Sequence, residues 1–196
     1  MSFELLKNKR FLDSAEMFFQ KHKDRLLDIV LFGSAVRGKE EPADIDVLLL
    51  FKEKESIDLV YRCRKELESA SLRVEVVGKS YEQLFKPSFQ AREAFLSEGY
   101  SLAYGRFVAE GLGYAHYTLF RYELIGRSPS ERVRFYYSFN GRGRQAGMAK
   151  VLGLKKFSDS VFLCPVEHVE QVREYLGGWK IKYEAFPVLL PLRLVR

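Results

Sequence analysis

The sequence predicts an α/β protein of the α+β kind, with an N-terminal domain at residues 1–110 and a smaller α+β domain at residues 111–196. Three observations lead to this prediction. Stretches with helical periodicity alternate with short apolar runs in the first half of the chain. The glycine-rich segment Gly111-Leu112-Gly113 is a candidate boundary. The second half then has its own alternation of strand-like and helix-like segments. A chain of 196 residues is long enough to bury a core in such an arrangement.

Five elements are predicted at the start of the chain. Phe3 to Lys23 forms a helix, because apolar side chains recur there at helical intervals with charged residues between them. A strand follows at Leu26 to Phe32. The run from Ile45 to Phe51 is apolar apart from one acid and lies between charged segments, which indicates a buried central strand. A helix at about Ile57 to Ala70 and a strand at Leu72 to Val77 come next.

The remainder of the first domain is predicted to be mainly helical. Ser80 to Phe85 and Ser88 to Ser97 are helix-like and are separated by a proline. A turn and a short edge strand are expected between Glu98 and Gly105. Arg106 to Gly113 is interpreted as a linker or a short helix.

The second half has the order strand, helix, strand, strand, helix, strand, which is the ferredoxin-like split arrangement. Its first helix is well marked, because Ser128 suits the N-cap, Pro129 suits the first helical position and Glu131 completes a capping box. A helix stays open as an alternative for the first strand. The predicted elements are strands at Tyr114–Leu124, Met148–Leu152, Val161–Leu163 and Trp179–Leu190, and helices from Ser128 to about Phe139 and from Pro165 to Leu176.

Composition narrows the class of protein. The formal net charge of +6 favours polyanionic partners such as nucleic acid or nucleotide. The two cysteines, Cys63 and Cys164, are far apart, so neither a disulfide framework nor a cysteine metal site is expected. There is no run of 18 apolar residues and no cleavable leader, and we therefore expect a cytoplasmic protein without a membrane partner.

Two acids mark the start of the predicted central strand. Asp44 and Asp46 are two residues apart, so on a strand both side chains project from the same face. Adjacent carboxylates repel each other, and packing in an ordinary apolar core does not explain why two of them occur here. A divalent cation removes the repulsion, and hard cations such as Mg²⁺ prefer oxygen ligands. Glu75 is the single acid of the following strand, and its residue type alone favours a position on a solvated face.

The motif around these acids resembles the nucleotidyltransferase superfamily that includes DNA polymerase beta, and in particular its small prokaryotic minimal nucleotidyltransferase branch. The residues that carry the resemblance are Gly33-Ser34 after an apolar strand, Arg37-Gly38 soon afterwards, and Asp44-Ile45-Asp46 at the next strand. The resemblance extends over about Phe3 to Tyr104. Ala43 departs from the family pattern, which often has serine before the first aspartate.

The resemblance implies a polymerase-beta-like domain with a mixed sheet and a two-metal active site that uses an NTP, with ATP as the expected one. Although the residue type of Glu75 alone favours a solvated face, the resemblance implies that Glu75 is the third carboxylate of the metal site. An alternative interpretation of Arg37 is a surface arginine without a role in the site. An alternative interpretation of Gly38 is that it ends a short helix. The implied catalytic residues and ligands of Mg²⁺ or Mn²⁺ are Asp44, Asp46 and Glu75, and the implied NTP-binding residues are Gly33, Ser34, Arg37 and Gly38.

The second half contains a basic segment that alternates with aromatic residues. No aspartate or glutamate occurs from Arg132 to Ser158. Such a segment can follow a phosphate backbone and offer rings to bases. An equally weighted alternative is a solubilising surface over an ordinary aromatic core. The candidate nucleic-acid-binding residues are Arg132, Arg134, Arg142, Arg144, Lys150, Lys155 and Lys156.

Two functions follow from the resemblance. The first is metal-dependent transfer of a nucleotidyl group from an NTP to a hydroxyl acceptor, which is RNA, a protein or a small molecule; the basic second half favours RNA or another anionic acceptor. The alternative is an antitoxin-like or regulatory module that binds nucleotide, nucleic acid or a partner protein, because small members of the family are antitoxins of helical toxins.

Overall fold

The computed structural model describes residues 8–39, 42–68 and 73–195. Its first half is built on a five-stranded sheet with the strand order β3-β2-β1-β4-β5. The helices and strands of this half are α1 (Lys9–His22), β1 (Leu26–Phe32), β2 (Ile45–Phe51), α2 (Ile57–Glu68), β3 (Val74–Ser80), a 3-10 turn (Glu82–Phe85), α3 (Arg92–Glu98), β4 (Tyr100–Ser101), β5 (Arg106–Phe107) and α4 (Val108–Gly111).

The first sheet is mixed, as predicted. Strand β2 pairs antiparallel with β1 and parallel with β3. Its apolar sequence is explained by cores on both faces. One face packs on α1 and α2 through residues such as Phe11, Phe18 and Cys63. The opposite face packs on the segment that contains α3, through Phe95 and its neighbours.

The second half forms a four-stranded antiparallel sheet with the order β11-β6-β10-β9. Two helices connect its strands, so the predicted split β-α-β-β-α-β arrangement is present. The elements are β6 (Tyr114–Glu123), α5 (Pro129–Asn140), β7 (Gly141–Arg142), β8 (Gln145–Ala146), α6 (Met148–Val151), β9 (Lys155–Lys156), β10 (Val161–Pro165), a 3-10 turn (Val166–His168), α7 (Val169–Gly178), β11 (Lys182–Pro191) and a final 3-10 turn (Leu192–Leu194).

The prediction of a strand at Met148–Leu152 is wrong, because the structure has the helix α6 there. Met148, Ala149 and Leu152 pack on the core of the second half, at a spacing that only a helical turn brings to one side. The second strand of the sheet is instead β9, whose two lysines gave no apolar signal. The alternative helix at the first strand is also excluded, since β6 is extended over ten residues.

Several predicted boundaries shift. The predicted helix at Ser88–Ser97 is shorter and later, at Arg92–Glu98, and Ser80 ends strand β3 instead of beginning a helix. The predicted helix start at Phe3 and the positions from residue 69 to residue 72 lie outside the described residues.

The two halves are packed together. Val166 of the C-terminal half is 2% exposed and belongs to the core of the first sheet. The backbone N–H of Leu192 donates a hydrogen bond of 3.0 Å to the carbonyl of Gly113. Within the described segments, no helix has the length and hydrophobicity that crossing a bilayer requires.

Candidate active site

The acids of the predicted site meet at one edge of the first sheet. Asp44 precedes β2, and Asp46 is the second residue of that strand. In the parallel pairing of β2 with β3, Asp46 is the register partner of Glu75. Register partners on adjacent strands have side chains on the same face. Glu75 is exposed to solvent, whereas Asp46 is half-buried.

The charge of Asp46 is disfavoured in the folded chain. Burial raises the pKa of this carboxyl above its usual value, and the negative charges of Asp44 and Glu75 raise the pKa further. The guanidinium of Arg37 acts in the opposite direction without reversing the shift. Asp44, Glu75 and Arg37 are therefore all close enough to act on the charge of Asp46.

The glycine turn after β1 lies directly against Asp46. Gly33 has a φ of +80°, a conformation that side chains disfavour. A Cβ at this position would collide with the Asp46 carboxylate oxygen Oδ2. The close approach of backbone and carboxylate therefore depends on glycine at this position.

The segment after Gly33 is a series of turns, so no short helix ends at Gly38, which was the alternative interpretation of that glycine. The N–H groups of Val36 and Arg37 donate to the Gly33 carbonyl at 3.1 and 3.2 Å, and the N–H of Lys39 donates to the Ser34 carbonyl at 3.2 Å. The chain then turns toward the second half before a helix can continue. Ser34 is half-buried beside the acids' end of the sheet.

Arg37 is not the free surface arginine of the alternative interpretation. Its side chain is 24% exposed, its Nε donates to Glu170 at 2.8 Å, and its Nη1 donates to Glu98 at 2.8 Å. Burial lowers the pKa of Arg37, but the hydrogen bonds and charges of these two acids outweigh burial and raise it. Arg37 thus remains charged and is held in a fixed orientation.

The two carboxylates that hold Arg37 were missed in the sequence. Burial raises the pKa of Glu98, although Arg37 and a hydrogen bond from the Gly33 backbone act to lower it. Glu170 lies in the first turn of helix α7 of the second half and also contacts Arg173 Nη1 at 3.4 Å. Because these acids are 61 and 133 residues from Arg37, no local pattern could have revealed the contacts.

Gly38 ends the turn against the second half. It has a φ of +86°, and a Cβ there would meet the backbone carbonyl oxygen of Glu167. The glycine is therefore required by contact between the halves as well as by its backbone conformation.

The residues at this edge fit a divalent cation in their chemistry. They offer carboxylate oxygens, and their mutual repulsion is the feature that a cation would relieve. Across the described ranges, no group of three or more His, Cys, Asp or Glu side chains is gathered closely enough to hold an ion. Asp44 and Asp46 are the adjacent pair, and Glu75 reaches the same face from the neighbouring strand.

The predicted basic residues lie apart from this edge, on the second half. The seven cations from Arg132 to Lys156 are all exposed. The aromatic residues between them divide into two sets, because Phe135 and Phe139 are buried whereas Tyr136 and Tyr137 are exposed.

Comparison with known proteins identifies a family match for the part of the chain that carries the candidate site. Residues 15–92 match the family model described as polymerase beta, nucleotidyltransferase. This match contains the glycine turn and all three acids, and it confirms the resemblance predicted for the N-terminal half. No match was found among curated proteins.

Solved structures give weaker likenesses. A toxin–antitoxin crystal structure with AMP-PNP has a TM-score of 0.38 and 22% identity over 46% of this chain and 71% of the other. The tri-AMPylated Shewanella oneidensis HEPN toxin in complex with MNT antitoxin gives a TM-score of 0.36 and 20% identity, over 48% and 71%. The toxin–antitoxin MntA-HepT gives 0.34 and 19%, over 47% and 68%. The assignment of the N-terminal half rests on the family match.

Proposed function

We propose that this chain is a metal-dependent nucleotidyltransferase that moves a nucleotidyl group from an NTP, with ATP expected, to a hydroxyl acceptor. The observation that carries the proposal is the register of Asp46 with Glu75, beside Asp44 and against the Gly33 turn. This arrangement concentrates negative charge next to a close backbone approach, inside the segment that matches the nucleotidyltransferase family.

We assign Mg²⁺ or Mn²⁺ to Asp44, Asp46 and Glu75, which share one face at this edge and whose side chains would have to close around the ion. When bound, the cation supplies neutralisation of phosphate charge and a lowered pKa of the acceptor hydroxyl. Asp44 directly precedes the central strand and Asp46 is its second residue, so we assign both to the ion that would meet the α-phosphate. Glu75 is exposed, and we assign it to the side from which the acceptor enters.

The Gly33 turn is assigned to the phosphates. The hydrogen bonds that close the turn use the N–H groups of Val36 and Arg37. The preceding N–H groups of Ser34 and Ala35, together with the Ser34 hydroxyl, are the donors we assign to phosphate oxygens. Gly33 contributes the space that this approach needs, and Gly38 sets the direction in which the turn leaves the site.

Arg37 is assigned to the outer phosphates. Glu98 and Glu170 hold its Nη1 and Nε, so the remaining nitrogen, Nη2, is the donor proposed for a β- or γ-phosphate oxygen. Because the guanidinium is already oriented, little side-chain entropy is lost when phosphate binds. The reaction joins the acceptor oxygen to the α-phosphorus, releases pyrophosphate and frees the proton of the hydroxyl.

The test uses α-labelled ATP with Mg²⁺ and either mixed RNA or cell lysate. We expect label to be transferred by the unchanged chain and by the control Asp58→Asn, whose carboxylate lies in an exposed ion pair of α2. We expect Asp46→Asn to lose at least about 100-fold in transfer. Label on RNA or on protein identifies the acceptor class. Equal transfer by Asp46→Asn and the control overturns the proposal.

A further inference from the structure

Helix α5 carries buried phenylalanines and exposed tyrosines, and packing in the core explains only the phenylalanines. Phe135 and Phe139 are 2% and 6% exposed and belong to the core of the second half. Tyr136 and Tyr137 are 57% and 40% exposed and point away from it. The equally weighted alternative, a solubilising surface over an aromatic core, therefore accounts for the phenylalanines and leaves the tyrosines unexplained.

A cavity of about 500 Å³ lies between α5 and the β10 side of the sheet. Aromatic rings line it, among them Tyr122 and Tyr136, and polar groups enter it from Asn140 and Ser158. Its volume lies within the range of about 300–1,000 Å³ that is usual for ligand pockets. Rings with a few polar groups at their edges are the environment that a nucleobase fits, because a base has two apolar faces and a polar rim.

The cavity is lined by Arg132, Lys156 and Asp159, and the chain segments beside it carry further cations. Lys156 is paired with Asp159 at 2.8 Å. Over the part of the chain that the structure describes, no carboxylate forms an ion pair with the other six cations. Arg142 lies 4.8 Å from the centroid of Tyr137, whose ring lines the cavity. Lys155 instead lies over Tyr117, whose ring lines a different cavity, and so does not belong to this surface. Cations interleaved with exposed rings are the pattern that follows a phosphate backbone while bases stack.

We infer that this surface, consisting of the cavity, Tyr136, Tyr137 and the five unpaired cations Arg132, Arg134, Arg142, Arg144 and Lys150, binds a single-stranded polynucleotide. The charge selects a polyanion, and the exposed rings select one whose bases are unpaired, because a duplex hides its base faces. An acidic protein would match the charge but would leave the ring-lined cavity without a partner of matching chemistry.

The surface is distinct from the candidate active site. Val161 lines the cavity at one end of β10, and Pro165 is the last residue at the other end. The four residues of strand between them span about 13 Å. Only beyond Pro165 does the chain enter the core of the first half, through Val166. The inference thus goes beyond nucleotidyl transfer and would hold even if the transferred group were received by something other than the bound strand.

The test measures binding of a short fluorescent single-stranded RNA to the full chain by anisotropy, with neither NTP nor metal present. The same strand as DNA, an RNA duplex and polyglutamate serve as competitors. We expect tight binding at low salt, with affinity falling about 100-fold between about 50 and 200 mM salt, as neutralisation of about five phosphates predicts. We expect the single strands to compete at least about 5-fold better than the duplex or polyglutamate.

Two pairs of variants separate charge from stacking. Arg142→Gln with Arg144→Gln should lower the steepness of the salt dependence, whereas Arg62→Gln with Arg64→Gln, which removes two cations already paired on α2, should not. Tyr136→Ala should weaken binding by about 5-fold or more. Tyr61→Ala, which removes a helical tyrosine of similar exposure at 59%, should leave binding unchanged.

Several outcomes would overturn the inference. The first is the absence of RNA binding at low salt. The second is an equal change in the salt dependence of affinity in the two charge variants, and the third is full affinity in Tyr136→Ala. Equal competition by polyglutamate would indicate an acidic protein as the partner and would also overturn it. Because no NTP is present, these results are independent of whether nucleotidyl transfer occurs.

Discussion

Arg37 of the N-terminal half and Glu170 of the C-terminal half are joined by two hydrogen bonds. The Arg37 Nε donates to Glu170 Oε1 at 2.8 Å, and the Glu170 backbone N–H donates to the Arg37 carbonyl at 3.2 Å. Both side chains are largely shielded, at 24% and 18% exposed. The halves are therefore fastened at the same residue that we propose contacts the triphosphate.

The first prediction concerns this junction. Glu170→Gln should lower the free energy of unfolding by about 1–3 kcal/mol, because it leaves a shielded guanidinium with one charged partner instead of two. Denaturant unfolding measures the change. Glu184→Gln is the matched control, since Glu184 forms an exposed contact of 3.7 Å with Arg121 and should change stability by about 0.5 kcal/mol or less. Equal effects of the two substitutions would contradict a structural role for the junction.

The second prediction is a gain of stability from a substitution that removes activity. Asp46→Asn should raise the melting temperature in chelator at neutral pH, because the ionised carboxylate is disfavoured by burial and by Asp44 and Glu75. Mg²⁺ should then stabilise the unchanged chain but not the variant. Asp58→Asn should respond to Mg²⁺ as the unchanged chain does. A variant that Mg²⁺ still stabilises fully would argue against metal binding at Asp46.

The third prediction is the pH dependence of that gain. The pKa of Asp46 in the folded chain lies above its ordinary value of 3.8, so the folded state binds more protons than the unfolded state in the interval between the two. Stability must therefore fall as pH rises through this interval. The difference in unfolding free energy between Asp46→Asn and the unchanged chain should be near zero at the acid end and should grow until the folded-state pKa is passed. Chemical unfolding in chelator across this range measures it, and a pH-independent difference would refute the assignment.

The fourth prediction separates the two reasons why residue 33 is glycine, which are its positive φ and its close approach to Asp46. Gly33→Ala introduces a Cβ at a φ of +80° and into contact with Asp46, whereas Gly105→Ala introduces one at a φ of +62° into open space. Both should lose about 1–2 kcal/mol of stability from the backbone conformation. Only Gly33→Ala should also lose nucleotidyl transfer, measured with α-labelled ATP. Retained transfer in Gly33→Ala would show that the close approach to Asp46 is not needed.

The fifth prediction concerns the thiols. Both cysteines are free and buried, and burial raises the pKa of Cys63 to about 12 and also raises that of Cys164. Neither should react with an alkylating reagent at mildly alkaline pH until the chain unfolds, because the thiolate is the reactive form. Mass spectrometry after a short pulse of reagent measures the labelling. Rapid modification of Cys63 in the absence of denaturant would contradict its burial on the inner side of helix α2, in the core of the first sheet.

The parts of this protein that could be predicted are those whose signal is local. The Gly33 turn and the acids at β2 lie within a short continuous stretch, and the alternation of elements in the second half follows from caps and periodicity. The roles of Glu98 and Glu170 depend on contacts between distant segments, which no single window contains. The helix α6 was misassigned because four residues are too few to distinguish a period of 3.6 from a period of 2.

The burial of Val166 in the core of the first half has a consequence for how such a chain could have arisen. If the N-terminal half were inherited without its partner, it would carry an apolar hollow where this valine sits, and Arg37 would keep one acid of its two. Recombination that exchanged either half for an unrelated one would have to repair both defects at once. Exchange of either half alone would therefore carry a cost in packing and in charge at this junction.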